Sequence, residues 1–246
     1  VLTIPAAGSE SSISAVLTNE EGNLKIGLDC MLYRPVFAVM NPELTFTLPP
    51  YQTACGAADM ISHIFEFYFN MTQDLHMLDT VMEGLLKTIL HYAPIAQQKP
   101  QDYDARANLM WASSWAISKL IFGGKRQAWS CHPIEHQLSA YYDIAHGLGL
   151  AVLTPRWMEY ALNEHTAPKF YQFGTNVFGI DPALPPMEVA KKSIGMLSDF
   201  LFNTLGLEST LAASTTAISR RWRKLSAATA CCRALSRCAA RTWRTS

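Results

Sequence analysis

The sequence predicts a mainly α fold with a short β-containing beginning, on three observations. After the stretch ending Leu48-Pro49-Pro50, apolar residues recur at helical spacing with charges on the other face. Before it, VLTIPAAGSESSISAVLTNEEG reads as short β segments around a Gly/Ser turn. The composition, 49% hydrophobic and 16% charged over 246 residues, supplies a packed core for one or two domains.

In chain order, PVFAVM (35–40) is expected as a buried-type strand closed by Asn41-Pro42. The first helix is expected over 53–70. A second covers about 75–93, with Thr72 or Asp74 as N-cap, and a third about 103–122, with Asp102 or Asp104 as N-cap. Gly123-Gly124 closes the third helix. The fourth runs from about His132 to Tyr142, where Pro133 is tolerated in a first turn. A fifth starts near His146, and Pro155 is expected to kink or break it. Residues 165–179 and 186–205 read as two more helices, and no internal repeat is found.

The formal net charge of zero conceals an asymmetry. Residues 1–208 carry 12 Lys and Arg against 20 Asp and Glu, whereas 209–246 carry 8 against none. Three of the six Cys, Cys231, Cys232 and Cys238, also fall in that tail. Basic tails contact nucleic acid or anionic membranes in some chains. A GC-rich region read out of frame also yields this mixture of Arg, Ser, Ala, Thr and Cys, and that reading is preferred. No nucleic-acid or membrane partner is therefore expected. No apolar run reaches the length of a membrane span, no basic-then-apolar leader opens the chain, and no C-x-x-C pairing marks a disulfide framework. A cytoplasmic protein is expected.

Four residues read as one metal site. Asp59 and His63 are spaced i, i+4, which places both on one face of a helix. His132 and His146 lie fourteen residues apart, with His136 between them. One carboxylate and three imidazoles suit a divalent first-row ion such as Fe²⁺ or Zn²⁺, and would leave the site at about net +1. Taken alone, His63 reads more often as a satisfied core histidine than as a ligand. HPIEH also fits the inverted zincin pattern H-x-x-E-H, in which His132 and His136 bind zinc and Glu135 is the base. That pattern leaves Asp59, His63 and His146 unexplained, so Glu135 reads instead as a carboxylate behind the ligands. Cys131 is expected to be a small buried residue, and His76, His91 and His165 to be surface or capping residues.

TIPAAGSES, KIG, PVFAVMNPELTFTLPP, GAADMISHIFE and HPIEHQLSAYYDIAHG together resemble the iron-containing (group III) alcohol dehydrogenases. Within them, the chain is most similar to the NAD(P)H-dependent butanol dehydrogenase and aldehyde reductase branch. The resemblance runs from Val1 to about Leu207. It implies a Rossmann-like dinucleotide domain followed by an all-helical metal domain of the dehydroquinate synthase-like type, with the active site between them. On that basis residues 1–48 are the end of the Rossmann-like domain, 49–208 the helical catalytic domain, and 209–246 a basic, non-native or poorly packed tail.

Carried over residue by residue, the family's metal ligands fall on Asp59, His63, His132 and His146. Its histidine beside the nicotinamide falls on His136. The turn lining the nicotinamide end is Thr3 to Glu10, including Ser9. The phosphate-side lysine is Lys25, and Leu44 matches a position that packs on the cofactor. The resemblance implies Fe²⁺ or Zn²⁺ as metal, NAD(H) or NADP(H) as cofactor, a short-chain alcohol or aldehyde as substrate, and a homodimer when complete. Two departures stand out. The family has roughly another third before residue 1, holding the glycine-rich pyrophosphate turn, and its pattern is lost here after about Leu207. A chain lacking both is expected to bind NAD(P)H weakly. An inactive product that only binds metal is the alternative reading, and a zinc protease the minor one.

Overall fold

The computed structural model describes residues 1–19, 21–70, 75–121 and 129–211. Among these, one antiparallel hairpin precedes seven α-helices. The hairpin pairs β1 (Ser14–Asn19) with β2 (Leu24–Asp29), in the register Ser14↔Asp29 to Asn19↔Leu24. Its turn carries Asn23 at φ 48°, a left-handed conformation that Asn tolerates well. At its open end the Ser14 hydroxyl donates to Asp29 Oδ1 at 2.6 Å.

The helices are α1 (Pro50–Tyr68), α2 (His76–Gln98), α3 (Tyr103–Ala116), α4 (Cys131–Tyr142), α5 (His146–Ala161), α6 (Ala167–Phe178) and α7 (Pro186–Asp199). A π-helical turn, Phe200–Thr204, continues α7. α1 is apolar nearly all round, the mark of a central helix. Every residue from Thr53 to Tyr68 is buried, and α2, α3, α4 and α5 all pack against it. Its first half is rich in small residues, Ala54, Gly56, Ala57 and Ala58, which let neighbours approach closely. Its second half supplies bulk, with Phe65 and Phe69 meeting Phe170, Phe173 and Trp157 at ring-centroid distances of 4.6–6.1 Å. Arg106 of α3 is fully buried and joins the two helices, with Nη1 donating to Thr53 Oγ1 and Nε to the Pro100 carbonyl, both at 2.9 Å.

Several expectations are corrected. PVFAVM forms no strand: residues 35–39 are exposed and join no sheet, and Val36 is 100% exposed. The only ladder-like bond to it among the described residues is from Leu2 N–H to the Val39 carbonyl, 3.1 Å. α3 ends at Ala116 rather than near 122, and a 3₁₀ turn, Lys119–Ile121, follows. α2 passes through Pro94, and α5 passes through Pro155 without breaking. A proline forfeits one helical hydrogen bond, but Ala93 and Ala96 in α2, and Pro155 and Met158 in α5, lie in the core and hold the chain helical. The caps proposed at Thr72 and Asp74, and the stop at Gly123-Gly124, lie outside the described residues. Asp102 does cap α3, accepting from Ala105 N–H at 2.9 Å.

The described chain still touches the helical body at the composition break near Ser209. The Ser209 carbonyl accepts from Arg156 Nη2 at 2.9 Å, and Leu211 packs against the core. Residues 212–246 lie outside the described residues. No described helix is long and apolar enough to cross a membrane.

Candidate metal centre

α1 projects Asp59, His63 and Glu66 along one buried face, at i, i+4 and i+7. α4 places His132 in its first turn against that face, and α5 begins with His146. Gly147 allows this approach, because a Cβ there would collide with the Cys55 backbone of α1. Gly149 leaves space for Glu135, whose Oε1 and Cγ would lie 2.7 Å from an added Cβ.

The result is a convergence on one oxygen. Asp59 Oδ1 is 3.4 Å from His63 Nδ1, 3.5 Å from His132 Nε2 and 3.7 Å from His146 Nε2. Asp59, His63 and His132 are buried, and their facing atoms lie within 4.8 Å of one another. Asp59 Oδ1, His63 Nδ1 and His132 Nε2 are buried and make no hydrogen bond. Buried polar atoms left this way are costly, and three of them facing one another form a donor set of the chemistry a divalent ion takes. His146 faces the same oxygen but also belongs to a second cluster with Glu135 and His136.

The remaining nitrogens of two of the histidines are held. His132 Nδ1 is 3.0 Å from Glu66 Oε1, and His146 Nδ1 contacts Glu135 Oε2. Glu135 also accepts from Ser139 Oγ, and Lys25 Nζ lies 3.8 Å from its Oε2. The expected net charge of +1 therefore counted too little: two further carboxylates and one ammonium sit directly behind the donor set. Burial disfavours the charge on Asp59, yet His63, His132 and His146 around it hold its carboxyl well below the usual range. Burial first, then the neighbouring imidazoles, press His63 down to about 3. Burial also opposes a charge on His132, but Asp59 and Glu66 overcome it and raise His132 to about 9.

The donor set opens into a cleft of about 760 Å³ between the hairpin and α4. Ser9 and Lys25, expected from the resemblance to contact cofactor, line this cleft together with His136. Thr3 and Leu44 do not; both are exposed, Leu44 by 44%. The apolar wall is Ile117, Trp129 and Pro133, and Trp129 stands edge-on to His63 and His132 at centroid distances of 6.2 and 5.1 Å. The inverted zincin pattern does not form. His132 and His136 turn to different clusters, and Glu135 is fully buried with its oxygens engaged. Glu66 and Trp129 escape the sequence reading, although the i+7 spacing of Glu66 from Asp59 is a signal that finds the first of them.

A helical body carrying a buried carboxylate and imidazole cluster beside a cleft defines a candidate metal-binding domain of α type. The chain belongs to the Fe-containing alcohol dehydrogenase family: residues 53–232 match the description "Fe-containing alcohol dehydrogenase family, C-terminal". This match continues past the composition break at Ser209. The chain is 50% identical to NADH-dependent butanol dehydrogenase A of Clostridium acetobutylicum over 211 residues, covering 86% of this chain and 54% of that protein. It is 37% identical over 181 residues to the NADPH-dependent aldehyde reductase YqhD of Escherichia coli, covering 73% and 46%. The crystal structure of NADH-dependent butanol dehydrogenase A from Thermotoga maritima superposes with a TM-score of 0.82 at 37% identity, over 87% of this chain and 52% of that one. The chain thus spans about half the length of the curated relatives it matches.

Proposed function

We propose that this chain is the metal-binding part of an NAD(P)H-dependent alcohol dehydrogenase or aldehyde reductase acting on short-chain substrates. Asp59, His63, His132 and His146 would hold Fe²⁺ or Zn²⁺. When bound, the ion supplies Lewis acidity toward an alcohol or aldehyde oxygen and the nicotinamide supplies or accepts the hydride. The observation that carries the reading is the set of three buried donor atoms, without hydrogen bonds, facing one another beside the cleft.

The chain's own residues contribute the rest. His136 lies one turn beyond His132 on α4, its ring 5.5 Å from that of His146. Burial and then the neighbouring His146 lower it to about 4, so it is a neutral imidazole near pH 7 and can accept a proton or orient a carboxamide. Ile117, Trp129 and Pro133 offer an apolar wall that excludes water and suits a short aliphatic chain. Ser9 and Lys25, which also line the cleft, would meet a polar cofactor there. The alternative is metal binding without turnover.

The test is metal content and activity on the same purified chain. After reconstitution, about one Fe²⁺ or Zn²⁺ per chain is expected, falling to background in Asp59→Asn. Aldehyde-dependent oxidation of NAD(P)H would favour the first reading, and metal without oxidation the second. A wild-type chain that takes no metal would defeat both.

A further inference from the structure

His63 and His132 face Asp59 through different nitrogens, Nδ1 and Nε2 respectively. A neutral imidazole can carry its proton on either nitrogen, so something must select the pairing. For His132 the selector is Glu66. Its Oε1 lies 3.0 Å from His132 Nδ1, and a carboxylate oxygen accepts, so Nδ1 keeps the proton and the Nε2 lone pair faces Asp59. The same carboxylate has a second task. α4 starts at Cys131, and its N-cap Ser130 makes no side-chain capping bond. The Ser130 N–H donates to Glu66 Oε2 at 2.6 Å and the His132 N–H to Glu66 Oε1 at 3.0 Å. Glu66 is buried, so these bonds are shielded from water.

We propose that Glu66 is a positioning residue: a cap supplied by α1 that seats the first turn of α4 and commits His132 to coordinate through Nε2. The inference rests on the metal reading above. Because one side chain performs both tasks, its loss should reduce metal affinity by more than any general loss of stability explains. Carboxylates that hold a ligand histidine in this way typically account for about 10- to 100-fold in metal affinity.

The experiment compares wild type, Glu66→Gln, Glu66→Ala and Asp102→Ala, each as the full 246-residue chain. Zinc affinity is measured by competition with a chelator, and the His132 tautomer by long-range ¹H–¹⁵N correlation. Asp102→Ala removes a cap remote from the cluster and controls for stability alone. The expected result is a wild-type His132 coordinated through Nε2 with a proton on Nδ1. Zinc binding should be about 10- to 100-fold weaker in both Glu66 variants and unchanged in Asp102→Ala. Folded Glu66 variants that bind zinc within twofold of wild type overturn the proposal. So does a wild-type, zinc-loaded His132 that coordinates through Nδ1, a result that needs no variant to fold. A wild-type chain that binds no zinc removes the metal reading and this inference with it.

Discussion

Gly147 shows how much the cluster depends on a missing side chain. It lets the start of α5 meet the Cys55 backbone of α1, immediately after His146. The added methyl of Gly147→Ala has only backbone to push against, so α5 must shift. Overpacking of this kind costs about 1–3 kcal/mol, and zinc affinity should fall with it because His146 moves too. A thermal midpoint and zinc affinity both equal to wild type would contradict that close approach. The thiols give a pH-dependent prediction. Burial pushes Cys55 up to about 11, and burial beside Glu66 pushes Cys131 well above its usual value. The reactive thiolate is the deprotonated form, so at pH 8 both stay protonated and gain reactivity only as pH rises toward their raised values. Cys30 is only partly buried. Iodoacetamide at pH 8, read by peptide mapping, should therefore modify Cys30 well before Cys55 or Cys131. Labelling of Cys55 as fast as Cys30 would rule this out.

Element by element, one cap carries a clean prediction. Asp102 satisfies an N–H at the start of α3, and Asp102→Ala should cost about 1 kcal/mol. For a domain of this size that lowers the thermal midpoint by about 2–4 °C, and no change would deny the cap its role. The helices are legible in the sequence because their apolar period is long and regular, and their residue types leave little choice for α1. What the period does not carry is the balance between a proline and the core. Pro155 reads as kinking or breaking its helix, yet α5 continues through it, with Pro155 and Met158 in the core. PVFAVM reads as a strand from composition alone, but a strand also needs a neighbour's backbone, which composition does not report. Within the site, residue type and spacing single out Asp59, His63, His132 and His146, and the structure sets three of them facing one another with His146 beside them. Glu135 is read as a carboxylate behind the ligands only because it sits between two candidate histidines, whereas Glu66 escapes, since a glutamate in a helix looks the same whether it meets water or a histidine across the core.

For the molecule as a whole, the distribution of exposed apolar groups is the unusual feature. Leu32, Val36 and Phe37 are each more than four-fifths exposed, and Leu17 and Ile26 of the hairpin are exposed as well. Large apolar side chains left this exposed offer sites where apolar probes bind. The dye ANS should fluoresce with the folded chain, and Phe37→Asp should reduce that signal without altering helix content. An ANS signal unchanged by the substitution would place the apolar surface elsewhere. The donor set has a consequence on the same scale. Its atoms come from three helices, so an ion held there would act as a reversible cross-link between residue 59 and residue 146. In chain-entropy terms, tying a loop near one hundred residues long removes about 4–5 kcal/mol of freedom from the unfolded chain. That is a sizeable share of the 5–15 kcal/mol by which domains are usually stable. The centre would then be a fastening as much as a reagent, and removing its ion would loosen α4 and α5 from α1 before any chemistry is assayed.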